Sequence, residues 1–131
     1  MVGEKILVVD DNQDFLAEMS EMLDCSGYCP TVVSDPLMAV NTARSLTPDL
    51  ILLDLKMNGI SGFHVAEQLK QSVETAAIPI IGMSGYFPIE NKANLLDTGN
   101  MDACIEKPFG VLDLLKQIEA VLATARNANC R

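Results

Sequence analysis

Two kinds of apolar pattern alternate along the chain. Strand-like runs occur at 6–9, 29–33, 50–53, 78–83 and 103–106, the first and third of them unbroken stretches of apolar residues. Between them, apolar positions recur at helical spacing. Phe15, Met19, Met22 and Leu23 form the first such set, a stretch ending near Leu46 the second, and Phe63, Ala66 and Leu69 the third. Leu95 and Leu96 mark a fourth helix that begins near Pro88, and Val111, Leu114, Leu115, Ile118, Val121 and Leu122 give the clearest stripe, in the last. A short apolar run bounded by turn formers reads as a buried strand, and a spacing of three to four as a helix with one buried face. Five strands alternating with five helices predict one doubly wound (βα)5 domain with a parallel sheet.

The punctuation agrees with this reading. Asp11, Asn12, Gln13 and Asp14 predict a helix start, and Ser26-Gly27 its end. Ser34 and Asp35 cap a second helix that has proline at its first turn, and Thr47-Pro48-Asp49 breaks it from the third strand. Residues 56–62 read as a glycine-bearing loop, and residues 125–131 as a frayed polar tail to a domain of residues 1–124.

In doubly wound sheets ligands bind beyond the carboxyl ends of the strands. This chain places its unusual polar residues there. Asp10 and Asp11 follow the first strand, Asp54 ends the third, Ser84 follows the fourth and Lys107 the fifth. Two carboxylates about 5 Å apart repel by roughly 3 kcal/mol at an effective dielectric near 20. The arrangement makes sense around a cation, and oxygen-only ligation favours Mg²⁺ or another hard ion such as Mn²⁺. Singly, Asp10 or Asp11 reads as a helix cap, Ser84 as a turn residue and Lys107 as a solvated lysine. Together at successive strand ends they define a site.

Charge and composition narrow the chemistry. The 131 residues carry a net charge of −9, which argues against nucleic acid as a direct ligand. No apolar stretch approaches the ~20 residues of a membrane span, and no opening segment has the pattern of a signal peptide, so the cytoplasm is expected. Cys25, Cys29, Cys104 and Cys130 form no CxxC, and His64, the single histidine, reads as a surface residue of the third helix, so neither a His-ligated metal nor a nucleophilic triad is expected. A carboxylate can take up a phosphoryl group as an acyl phosphate once the charge of the incoming oxygens is neutralised. Ser84 can donate to such an oxygen, and Lys107 is a compact charge suited to the same anion.

These motifs carry a resemblance. Val8-Val9-Asp10-Asp11, the segment from Asp54 to Gly62, Ser84, and Lys107-Pro108-Phe109 together are similar to the receiver domain of two-component response regulators, over essentially the whole chain. The resemblance implies a flavodoxin-like, five-stranded parallel sheet of order 2-1-3-4-5. It implies that Asp54 accepts a phosphoryl group from a phosphohistidine on a histidine kinase or histidine phosphotransfer protein. Asp10, Asp11, Asp54 and the main-chain carbonyl of Lys56 would bind Mg²⁺, and Ser84 and Lys107 would hold the phosphoryl oxygens. Lys107-Pro108 would be a cis peptide. Such a module is a signalling phosphoacceptor rather than an enzyme, and it acts on a downstream effector protein or output domain. The alternative is a receiver-like interaction module that works without phosphorylation. A haloacid dehalogenase-type phosphatase would need Asp-x-Asp at the first strand end, and a flavodoxin-like electron carrier a Ser/Thr/Gly phosphate loop; neither is present.

The departures from the family pattern are specific. Asn58 stands where proline is usual, and Gly85 where alanine is. Cys104 stands where Tyr or Phe is common, and a cysteine has no ring to rotate. The stretch 99–103 is one residue longer than the commonest spacing, and Asn100 there can take a left-handed conformation. Lys56 and Tyr86 stand two residues after Asp54 and Ser84, positions that in the family flank the path of attacking water. Their bulk predicts slow hydrolysis of the acyl phosphate. A Lys56→Asn, Tyr86→Ala double variant should lose its phosphoryl group faster in a decay time course; unchanged decay would refute the assignment.

Overall fold

The computed structural model describes residues 3–57, 60–85 and 100–129. The expected helix from Pro88, along with Asn58, Tyr86 and Cys130, lies outside the described residues. One sheet of five parallel strands organises the rest: β1 (Lys5–Val9), β2 (Cys29–Val33), β3 (Leu50–Asp54), β4 (Ile80–Ser84) and β5 (Ala103–Glu106). Their spatial order is β2-β1-β3-β4-β5. This is the doubly wound arrangement and strand order expected. Helices α1 (Gln13–Cys25), α2 (Ala39–Leu46, entered through a 3-10 turn at Pro36–Met38), α3 (Gly62–Gln71) and α4 (Val111–Asn129) complete the described chain.

Strand alternation sorts the core into two layers. Leu7, Val9, Ile51, Leu53 and Ile80 meet Ala39 and Ala43 of α2 and Val65, Ala66 and Leu69 of α3. Ile6, Val8, Leu50, Leu52, Ile81 and Met83 meet Leu16, Met19 and Leu23 of α1 and Leu114, Ile118 and Leu122 of α4. Every residue of β3 is buried, as a central parallel strand requires.

Side-chain caps start the helices where the composition indicated. The Asn12 side chain accepts from Phe15 N–H, Asp35 from Leu37 N–H and Ser61 from Phe63 N–H. At the helix ends, Thr47 adopts φ 45° after α2 and Gly27 φ 92° after α1. Lys107-Pro108 is cis, as the resemblance implies.

Four expectations need correction. The fourth strand begins at Ile80, not at residue 78, because Ile78 N–H is spent on Thr75 O in a turn and Pro79 has no N–H. The expected loop at 56–62 carries regular structure at both of its described ends. Lys56–Met57 pairs antiparallel with Ile60–Ser61, and Gly62 is already the first residue of α3. Residues 125–129 continue α4 rather than fraying, helped by Ala120, Ala123, Ala125 and Ala128, and Arg126 pairs with Glu4. Within the amphipathic stripes, Leu16 is a buried residue that the spacing of Phe15 obscured, while Val111 is about half exposed.

Gly62 is a packing necessity. A Cβ there would lie 2.1 Å from Asp54 O and 2.7 Å from Leu55 Cα, and Gly62 N–H donates to Leu55 O at 3.1 Å. The helix start is thus pressed against the end of β3. Gly62→Ala should destabilise the protein by about 3 kcal/mol, the upper end of overpacking costs, because backbone rather than a flexible side chain must yield. Urea unfolding measures this, and a loss under about 1 kcal/mol would contradict the close approach.

Candidate functional site

The register brings the strand ends level. Val9 pairs with Leu53 on one side and Val33 on the other, and Asp54 pairs with Met83. Asp10 and Asp54, one step past Val9 and Leu53, therefore stand side by side. Carboxylate oxygens of Asp10, Asp11 and Asp54 lie within 4.8 Å of one another, close enough to share a metal ion. Asp10 and Asp54 are buried and Asp11 is half-buried. Sequence reasoning placed all three together, and the structure does the same.

Lys107 answers that crowding. Its Nζ donates to Asp10 Oδ2 at 2.6 Å and lies 3.8 Å from Asp54 Oδ1. Asp10 Oδ1 accepts from Asn12 N–H at 2.9 Å, so both oxygens of this buried carboxylate are occupied. Asp54 Oδ1 also accepts from Lys56 N–H at 3.3 Å. Burial comes first in pushing the Asp54 carboxyl up to about 6, and Asp10 adds to it; Lys107 and the Lys56 N–H oppose it.

The alternation of side chains explains which helix meets the site. Asp10, Asp54 and Lys107 continue the series of Val8, Leu52 and Ile105, which face α1 and α4. The cavity they open into measures about 780 Å³ and is lined on that side by Phe15, Met19, Met22, Phe109 and Val111. Lys107 Nζ sits 4.1 Å from the centre of the Phe15 ring, a cation–π contact, and Phe15 meets Phe109 edge-on with centroids 6.1 Å apart. Ser84 belongs to the opposite series. It is buried at the end of β4, its carbonyl accepts from Lys107 N–H at 2.7 Å, and its neighbour Gly85 reaches the cavity.

Within the predicted helix start it is Asn12, not Asp10 or Asp11, that caps α1. Two participants escaped the sequence reading. Phe15 was read as core and is instead the platform under Lys107, and Phe109 props it. One signal was available: the apolar residues of α1 span two adjacent stripes, wider than one buried face requires. His64 is exposed on α3, as expected. Lys56 exposes its side chain. The Asn100 conformation turns on its bond to Gly99, outside the described residues. Cys104 is buried in the layer under α3, and Cys25, Cys29 and Cys104 form no disulfide.

Fold and site together define a doubly wound α/β protein whose carboxylate cluster and lysine sit at the carboxyl edge of the sheet. Residues 6–119 match the response regulator receiver domain, and the chain belongs to that family. It is 35% identical over 122 residues to the phosphate regulon transcriptional regulatory protein PhoB of Pseudomonas aeruginosa, covering 93% of this chain and 53% of PhoB. It is 32% identical over 118 residues to the DNA-binding dual master transcriptional regulator RpaA of Synechocystis sp., covering 90% of this chain and 48% of RpaA. The chain thus spans about half the length of these relatives. Among solved structures, the receiver domain of the Pseudomonas aeruginosa sensor histidine kinase PA1611, with a magnesium ion coordinated in its active-site cleft, superposes with a TM-score of 0.82 at 26% identity. That match covers 93% of this chain and 99% of the other.

The raised Asp54 value has a consequence for stability. The folded protein holds this proton more tightly than the unfolded chain, whose ordinary value is 3.8. Stability therefore falls as pH rises from about 4 to about 6, by about 3 kcal/mol in all. Without divalent cations, Asp54→Asn should remove most of that fall and be the more stable protein above pH 6. Urea unfolding from pH 4 to 8 in chelator checks it; wild-type and variant profiles that run parallel would count against the burial effect.

Proposed function

We propose that the chain is the phosphoacceptor of a two-component phosphorelay, with Asp54 taking a phosphoryl group from a phosphohistidine on a histidine kinase or phosphotransfer partner. The observation that carries this reading is Lys107 Nζ bridging Asp10 and Asp54 at 2.6 and 3.8 Å beside a third carboxylate. A buried acid, a lysine in reach and an open cavity make a place where an anion can be received and a nucleophile kept.

In the transfer an Asp54 oxygen forms the new P–O bond as the P–N bond to the donor imidazole breaks. The imidazole leaves with the electron pair and takes up a proton. Lys107 swings from Asp10 toward a phosphoryl oxygen, and the Ser84 hydroxyl donates to another. Lys56 N–H stays on the Asp54 side chain and orients it. The donor set is all oxygen, which fits a hard divalent ion held by Asp10, Asp11, Asp54 and the Lys56 carbonyl. When bound, Mg²⁺ supplies neutralising charge at the phosphoryl oxygens.

The phosphorylated state then signals by altered docking on an effector protein or output domain. The protein acts as a signalling acceptor rather than by turnover of a substrate, and the cytoplasm is its proposed site of action. No helix among the described residues is long and apolar enough to cross a membrane.

Intact-mass measurement with a small-molecule phosphodonor tests the reading. Wild type with Mg²⁺ should gain one phosphoryl group, Asp54→Asn none, and Asp11→Ala should require far more Mg²⁺. A folded wild type that gains nothing sinks the proposal.

A further inference from the structure

Gly82 lies in β4 two residues before Ser84 and pairs in register with Cys104. The space its missing side chain leaves is filled from two directions. A Cβ on Gly82 would meet Met101 Sδ at 2.8 Å and the two Leu55 methyl carbons at 3.1 and 3.2 Å. Leu55 directly follows Asp54 and is fixed at both ends of its peptide: its N–H donates to Met83 O and its carbonyl accepts from Gly62 N–H. Cys104 is small and buried. Met101 is therefore the adaptable member of the group, an unbranched thioether with three rotatable bonds. Its backbone is anchored just beyond, where Asp102 N–H donates to Ile80 O at 2.8 Å and Asp102 Oδ2 accepts from Ile80 N–H at 2.9 Å.

Met101 also reaches outward. With Ser61, Phe63, His64, Glu67 and Asn100 it lines a separate surface hollow of about 330 Å³ at the start of α3. Met101 thus shares a core cluster with Leu55, the residue after the acceptor, closes on the same Gly82 gap, and also lines a hollow at the surface of that layer. We propose that Met101 transmits the state of Asp54, shifting between the wedge at Leu55, Gly82 and Cys104 and the hollow beside His64. This rests on the acceptor reading above. A pull on Ser84 toward a phosphoryl oxygen moves the end of β4 and reshapes the gap at Gly82, two residues away on the same face. Close-packed interiors respond to such changes by discrete repacking, and a thioether repacks more readily than a branched chain.

The test uses protein labelled at its methionine methyl groups, with the Met101 signal assigned from Met101→Leu. Beryllofluoride with Mg²⁺ serves as the phosphoryl mimic. On its addition the Met101 methyl and the His64 ring signals should move together with the Leu55 and Lys56 amides. In Gly82→Ala the new methyl displaces the thioether, so the Met101 signal starts displaced and its further movement falls at least about twofold. Met101→Leu conserves volume and should keep the amide response while weakening that of His64. A Met101 methyl that stays in place while the Leu55 and Lys56 amides shift overturns the inference and leaves the acceptor reading intact. If neither amides nor methyl respond, the acceptor reading fails and this inference falls with it.

Discussion

Like charges forced together at the end of the sheet set the terms for everything around them. Parallel pairing of β1 with β3 leaves no freedom in where Asp10 and Asp54 stand, because the strands end level. Asp10 is almost wholly buried, and Asn12 N–H and Lys107 Nζ each donate to one of its oxygens. Deleting one partner of such a buried pair leaves a naked charge, a loss of about 3–5 kcal/mol. Lys107 comes from beyond β5, at the edge of the sheet, so the pair also ties the edge to the centre. Its position is set in turn by the Phe15 ring beneath it. An aromatic contact on α1 thereby bears on the electrostatics of a residue whose own strand never touches that helix's strand.

Most of the architecture was legible because its signals were strong. An unbroken Leu50-Ile51-Leu52-Leu53 run followed by a charged residue has few uses other than a central strand ending at a site. Where competing physics intervened, the reading slipped. Pro79 and the turn at Thr75 delayed β4. Phe15 drew the core face of α1 one position away from Leu16. The polar look of residues 125–131 hid an alanine-rich segment with good helix propensity. The close contact of Gly62 with the Asp54 carbonyl is a three-dimensional fact with no trace in the spacing beyond the glycine itself.

The site divides along similar lines. The residues that carry chemistry were visible because charge at a strand end is rare and expensive. The residues that hold them in place were not, because an aromatic ring under a lysine has the same sequence signature as an ordinary core residue. Ser84 is the instructive case. Its place at a strand end was correct, yet alternation sends it to the layer opposite Asp54 and Lys107, and only paired strands reveal which face each residue joins.

That opposition gives the sheet itself a role as a partition. The open cavity lies over α1 and α4, whereas Gly82, Ser84 and Cys104 belong to the layer under α3. A protein that delivers to the cavity would cover one side of the sheet and leave the other side accessible. Delivery and detection would then not compete for the same ground.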